Sequence, residues 1–385
     1  MKTIQEIKTD IDVLVRKQGN QGALKLGDVL DDIVDNLNVI NNMMANIPDV
    51  ATFQAAVPST ATEIVFAYYG SVDLTGYTKS GSIGKDIDVY SDGTKYAVLS
   101  GKTIFAPENS AEFFKGRTAL TSLNLSNFDT ANATSFEAMF RGCRGLTSLD
   151  VSNFDTSNVT SFAFMFYGCS SLTSLDLSNF DTAKATSFVR MFYGCSGLTS
   201  LDLSNFDTAN ATSFEAMFRD CRGLTSLDVS NFDTSNVTSF AFMFYGCSSL
   251  TSLDLSNFDT ANATSFISMF DDCSGLTSLD VSNFDTAKAT SFARMFYGCS
   301  GLTSLDVSNF DTANAETFGY MFDNCSGLTT IIAGDWSASV TSTNMFNGCT
   351  SLVGGNGTTY NSSHIDATYA HIDVADNPGY FTAPV

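Results

Sequence analysis

Residues Leu146–Ser171 read LTSLDVSNFDTSNVTSFAFMFYGCSS, and Leu224–Ser249 repeat all 26 of them without a change. The leucine that opens this stretch recurs at 120, 146, 172, 198, 224, 250, 276, 302 and 328, always 26 residues apart. A period of this length is the mark of stacked supersecondary units and has to be read before any single element is assigned. Residues 120–183 match 198–261 everywhere except at 124/202 and 142/220, a displacement of 78 residues, or three units. Duplication of a whole block is tolerated where each unit touches only its neighbours.

Within the unit, Leu146, Leu149 and Val151 alternate with polar residues and predict a short strand. Asn153, Phe154 and Asp155 predict a bend, because Asn and Asp side chains bond their own backbone. Thr160 and Ser161 can cap a helix, and Phe162, Met165, Phe166 and Cys169 then follow at helical spacing on one face. A helix this short does not stand alone in water, so packing on neighbouring coils must hold it. The expected fold is an α/β solenoid of 26-residue strand-turn-short-helix coils with a parallel sheet. The expected domains are a helical docking or oligomerisation module at 1–50, a β-rich linker and leading cap at 51–117, the array at 118–350 and a closing cap at 351–385.

The nine cysteines follow the repeat, each at the end of MFxxC behind two large apolar residues. That position suits a small buried hydrophobe and predicts free thiols. Close cysteine pairs or neighbouring histidines, which metal sites use, are missing from the motif. With 41 acidic and 19 basic residues the formal charge is −22, which disfavours nucleic acid and anionic membranes as partners. The histidines are His364 and His371, and every repeated Ser or Asp is one of many copies. A catalytic site is a single asymmetric constellation, so no catalytic residue, metal site or cofactor is expected.

Stacking turns each repeated position into a row. Asp150, Asp176, Asp202, Asp228, Asp254, Asp280 and Asp306 form a candidate acidic ladder on the strand face. Like charges about 5 Å apart repel by roughly 1 kcal/mol even in water, which predicts raised pKa values or bound cations. The FDT aspartates, Asp129 through Asp311, are read as turn caps. Comparing coils, the far side varies most, and Arg141, Tyr167, Tyr193, Arg219, Tyr245 and Tyr297 form a candidate binding surface, Arg and Tyr being favoured contact residues.

The chain opens differently. Ile4, Ile7, Ile11 and Leu14, then Leu30, Ile33, Leu37 and Ile40, step by three and four along a coiled-coil seam. Isoleucine at both seam positions favours a trimer, hence an expected homo-oligomer. MKTIQEIKTDIDVLVRK has no uninterrupted apolar core of the kind a secretory signal requires, so an unexported chain is expected.

The unit LTSLDxSNFDTxxxTSFxxMFxxC resembles the leucine-rich repeat of BspA-like bacterial surface proteins, also found in mycoplasma lipoproteins. The resemblance implies a leucine-rich-repeat array serving adhesion or display. MKTIQEIKTDIDVLVRKQGNQGALKLGDVLDDIVDNL is similar to the opening of structural fibre proteins from tailed phages of Bacteroidetes. Together these imply a non-enzymatic virion fibre, assembled in the host cytoplasm and displayed on the virion surface. Its first residues would dock on a virion structural protein and its array on a host-surface glycan or protein. The alternative is a bacterial cell-surface adhesin.

Overall fold

The computed structural model describes residues 44–336 and 340–384. The chain divides into two compact units, Met1–Ala45 and Asn46–Val385. The seam residues Ile4, Ile7, Ile11, Leu14, Leu30, Ile33, Leu37 and Ile40 lie outside the described residues. The described chain is mostly β and turn, with parallel pairing and few helices. Among the described residues no helix is long and apolar enough to cross a membrane.

Strand β1 (Met44–Asn46) is followed by helix α1 (Val50–Ala56), which is capped by Asp49, whose carboxylate accepts from the Thr52 N–H at 2.7 Å. Strands β2 (Glu63–Tyr68), β3 (Thr78–Ile83), β4 (Ile87–Ser91), β5 (Lys95–Ser100) and β6 (Thr103–Phe105) follow. The turn between β4 and β5 is Asp92-Gly93, with Gly93 at φ 105° and Asp92 accepting from the N–H groups of Thr94 and Lys95. Strand β2 pairs in parallel with β5 on one side and with β7 (Ser122–Asn124) of the first coil on the other. Strand β6 pairs likewise with β8 (Phe128–Asp129). The leading segment thus presents a preformed edge on which the first coil is laid.

Beneath this edge Phe53, Phe66, Phe113, Phe114 and Phe128 form one aromatic cluster, with Phe53 and Phe113 stacked at 4.2 Å. Arg117 is only 2% exposed beside it. Its guanidinium donates to the carbonyls of Pro58 and Val57 at 2.6 and 2.7 Å, past the end of α1. Those carbonyls lack intrahelical partners and carry the negative end of the helix dipole. Burial pulls the Arg117 pKa down to about 10.

From Leu120 onward the chain stacks coil on coil. Parallel bridges join Ser135, Ser161 and Ser187, and then Ser213, Ser239, Ser265, Ser291, Thr317 and Thr341. The apolar set read from the repeat is the core: Leu146, Leu149, Val151, Phe154, Phe162, Met165, Phe166 and Cys169 are all buried. Equivalent phenylalanines stack along the array, from Phe140 on Phe166 at 5.7 Å to Phe322 on Phe346 at 5.8 Å.

The backbone of the expected short helix is not helical. The N–H groups of Phe162, Phe164, Phe166 and Gly168 donate to Ser187, Val189, Met191 and Tyr193 of the next coil at 2.7–3.0 Å. The alternate donors, Met165, Tyr167 and Cys169, close tight turns onto Phe162, Phe164 and Phe166. An α-helix would direct all of them to the residue four back. Phe164 and Gly168 instead take left-handed φ values of 59° and 70°, so the segment ratchets between turn and inter-coil ladder. Spacing found the buried face correctly, and the donors' partners in another coil decided the conformation.

The strand half also differs from expectation. Strands β9 (Ser304–Asp306), β10 (Thr330–Ile332) and β11 (Phe381–Thr382) pair in parallel at the far end, as β7 does at the near end. In the coils between, the LTSLD stretch is extended without strand pairing, with a long contact such as Thr173 N–H to Thr147 O at 3.4 Å. Side chains join the coils there instead. The Asn153 amide donates to Leu125 O and Phe128 O of the previous coil at 2.9 and 2.8 Å. The buried Thr156 hydroxyl donates to Asp181 O of the next coil at 2.8 Å and accepts from the Asp181 N–H at 2.7 Å. Equivalent contacts recur at Asn179, Asn205, Asn231, Asn257, Asn283 and Asn309. Asn153 is therefore an inter-coil staple and does not bond its own bend.

The far end closes with Trp336, Tyr380 and Phe381 packed over Phe318, Phe322 and Phe346. The buried Asp373 carboxylate ties this segment together by accepting from the N–H groups of Asn356, Thr358 and Gly379 and from the Thr358 hydroxyl. Burial works to raise its pKa, and those four hydrogen bonds together outweigh it and hold the pKa down.

Candidate functional site

The array presents one uniform face and one variable column. On the uniform face Thr147, Ser148, Asp150 and Ser152 are exposed, as are their counterparts from coil to coil. Asp150 accepts from the Ser152 N–H at 3.0 Å and from its hydroxyl at 2.6 Å. Asp176, Asp202, Asp228, Asp254, Asp280 and Asp306 each accept from the serine N–H two residues on. These bonds favour the charged form and lower the pKa values of Asp150, Asp176, Asp202, Asp228, Asp254 and Asp280. The upward shift expected from repulsion is therefore reversed, because local donors outweigh the neighbouring carboxylates. Among the described residues no group of three or more His, Cys, Asp or Glu side chains is placed to hold a metal ion. The FDT aspartates also accept locally, Asp155 from the Ser157 N–H at 3.0 Å.

The thiols form an interior row. Each of the nine is buried and free, and each S–H donates to a phenylalanine carbonyl of the previous coil, as Cys169 does to Phe140 O at 3.1 Å. Burial pushes the thiol of Cys195 up to about 12, far from the thiolate that reacts.

On the opposite side the structure brings the predicted Tyr and Arg residues into one continuous column. The Arg141 guanidinium lies 5.0 Å from the centre of the Tyr167 ring, and Tyr167 stacks on Tyr193 at 4.5 Å. Arg219 covers Tyr193 at 5.1 Å and Tyr245 at 4.3 Å. After an interruption at Asp271, Arg294 covers Tyr297 at 4.0 Å. Phe164, Arg190, Phe242, Arg294 and Tyr320 fill the gaps; Arg141 and Arg190 each stand 5.4 Å from the Phe164 ring.

These gap-filling residues all sit at φ 56–60°, a left-handed conformation that costs a side-chain-bearing residue about 1–2 kcal/mol. Large side chains are thus present where glycine would be cheaper, and cation–π contacts of about 0.5–2 kcal/mol offset the cost. The sequence carried a signal for this geometry. The residue before each repeat cysteine is Gly, Asp or Asn, at 142, 168, 194, 220, 246, 272, 298, 324 and 348, and all nine have positive φ. Gly, Asp and Asn are the residues that enter this region most readily.

The column is largely self-satisfied. Tyr167 has Arg141 of the coil before and Tyr193 of the coil after on its faces, which leaves ring edges, hydroxyls and outer guanidinium N–H groups toward solvent. Several arginines are also paired: Arg190 with Glu215 at 2.5 Å, Arg222 with Asp220 at 2.7 Å and Arg294 with Asp271 at 2.9 Å. Such a surface can accept hydrogen bonds and present planar cations; it holds no assembled nucleophile, base and oxyanion donor set.

A tandem array of near-identical coils, closed at both ends and joined by repeated side-chain staples, defines a repeat protein. The family described as "Mycoplasma protein of unknown function, DUF285" matches residues 108–227, 188–279, 212–336 and 254–358. Those overlapping matches span most of the chain, which belongs to this family. A search of curated proteins found no match, and neither did a search of solved structures.

Proposed function

We propose that this chain is a non-enzymatic adhesion and display protein whose coils form a leucine-rich-repeat solenoid of the BspA-like kind. In this reading it is a bacteriophage fibre on the virion surface, docked through residues 1–50 to a virion structural protein as a homo-oligomer, with a trimer favoured. The array meets a host or mucosal surface glycan or protein. The observation that carries the reading is the division of labour within each coil. The staples Asn153 and Thr156 and the buried thiol recur with the same partners, while variation is concentrated in a half-exposed Arg and Tyr column. That is what a surface selected for contact on a fixed scaffold looks like.

The test is adhesion of the full chain to host cells and to immobilised mucin. Replacing Arg141, Tyr193 and Tyr245 together by alanine should cut retention at least tenfold while the circular dichroism stays unchanged. Unchanged retention would remove the column from the reading. For assembly, light scattering should show a trimer for the full chain and a monomer once Ile7 and Ile33 are both changed to Asp. A second reading, a bacterial cell-surface adhesin, is supported by the family description, which names Mycoplasma. Peptides of this chain in purified virions would favour the fibre, and peptides confined to bacterial envelopes the adhesin.

A further inference from the structure

The column is interrupted where Asp271 stands in the position that Tyr193 holds three coils earlier. Asp271 is 0% exposed. Its Oδ2 accepts from Arg294 Nε of the next coil at 2.9 Å and from the Ser268 hydroxyl at 3.0 Å. Its Oδ1 has no hydrogen-bond partner. The groups facing it are Arg294, Asp272 beside it on the same turn and Tyr245 of the coil before. One coil beyond Arg294, Asp323 is 4% exposed and acts on the same guanidinium, while its own Oδ1 accepts from the Asn347 amide at 2.9 Å. Two buried carboxyls therefore share one cation. A buried charge without full compensation is costly, and a proton is the smallest ligand that removes it.

We propose that the junction of the Asp271 and Arg294 coils is a proton-operated joint in the column. With the carboxylate ionised, Arg294 is tied across the coil boundary. With the carboxyl neutral, the guanidinium is left to the Tyr297 and Tyr320 rings, 4.0 and 5.7 Å away, and to solvent. The display face then gains a free positive charge in acid, independently of which ligand it meets.

The direction follows from burial, which pushes the pKa values of Asp271 and Asp323 upward against the pull of Arg294. A raised folded-state pKa contributes stability that is full below the unfolded value and is lost as pH rises through the folded one. Acid therefore tightens this joint, and neutral pH loads it.

Carboxyl and guanidinium resonances of the full chain provide the test. The Asp271 carboxyl should titrate with a midpoint above the ordinary 3.8, and the Arg294 Nε resonance should move with the same midpoint. Asp271→Asn should hold the Arg294 signal at its acid position at every pH. Asp323→Asn, which leaves Asp271 in place, should lower the Asp271 midpoint by removing the competing carboxyl. A midpoint at or below 3.8, or an Arg294 signal that ignores the titration, overturns the proposal; if Asp271→Asn does not fold, the wild-type titration and Asp323→Asn decide it.

Discussion

The coils that follow the two copies of the duplicated block differ at one decisive place. After the first copy Tyr193 stacks on Tyr167 at 4.5 Å and the column runs through. After the second, Asp271 breaks the stack and leans on Arg294. Inside both coils nothing else of consequence changes: Phe188 and Phe266 are buried alike, and Cys195 and Cys273 donate to equivalent carbonyls at 3.1 and 3.0 Å. The interior is constrained because each residue serves two interfaces. The column is free to change because its contacts are rings and guanidinium groups that exchange partners at small cost.

If that contrast is right, the largest effect comes from breaking register. Deleting Leu224–Ser249 joins equivalent edges and should leave a folded chain with one cooperative melting transition, whereas deleting 13 residues from Leu224 should abolish folding. Equal solubility and cooperativity of the two deletions, read by calorimetry, would contradict the staple scheme.

Next in size is a charge in the interior row. Cys247→Asp replaces a thiol bonded to Phe218 O at 3.1 Å with a buried carboxylate, and should cost about 3–5 kcal/mol, of the order found for an uncompensated buried charge. A denaturation midpoint equal to that of the wild type would show that the site reaches solvent.

A finer comparison probes the column. Phe164→Ala loses the rings' contacts and keeps the left-handed strain, while Phe164→Gly loses the contacts and relieves it. The glycine variant should be the more stable by about 1 kcal/mol. The reverse order in urea melts would mean that φ 59° at this position is not the conformation in solution.

The smallest effect belongs to the uniform face. The lowered pKa values of the aspartate row mean that its contribution is present above 3.8 and lost as pH falls through the lower folded values. Asp202→Asn should therefore flatten the acid limb of a plot of melting temperature against pH and leave the neutral limb almost unmoved. A larger loss at pH 7 than at pH 3 would contradict the hydrogen-bonded turn seen at Ser204.

The repeat length, the coil boundaries and the buried set were legible from composition and spacing, since Phe162, Met165, Phe166 and Cys169 are buried whichever backbone carries them. The free thiols were legible too, because nine evenly spaced cysteines behind MF cannot be read as close pairs. Asn153 was harder. A polar residue in a bend predicts a local bond, and only a neighbouring coil supplies the two carbonyls it uses instead. The column residues were visible as variation, but their mutual stacking was not, because Arg141, Tyr167, Tyr193 and Arg219 are brought together by superposition and not by sequence proximity.

The sequence by itself determined that the chain is a stack of like units with an apolar interior, because periodicity in apolar residues is a statement about burial. Only the tertiary structure decided that MFxxC is a left-handed ratchet and not a helix. A backbone N–H takes the best acceptor within reach, and in a stacked coil that acceptor lies one repeat away, where no local pattern can point.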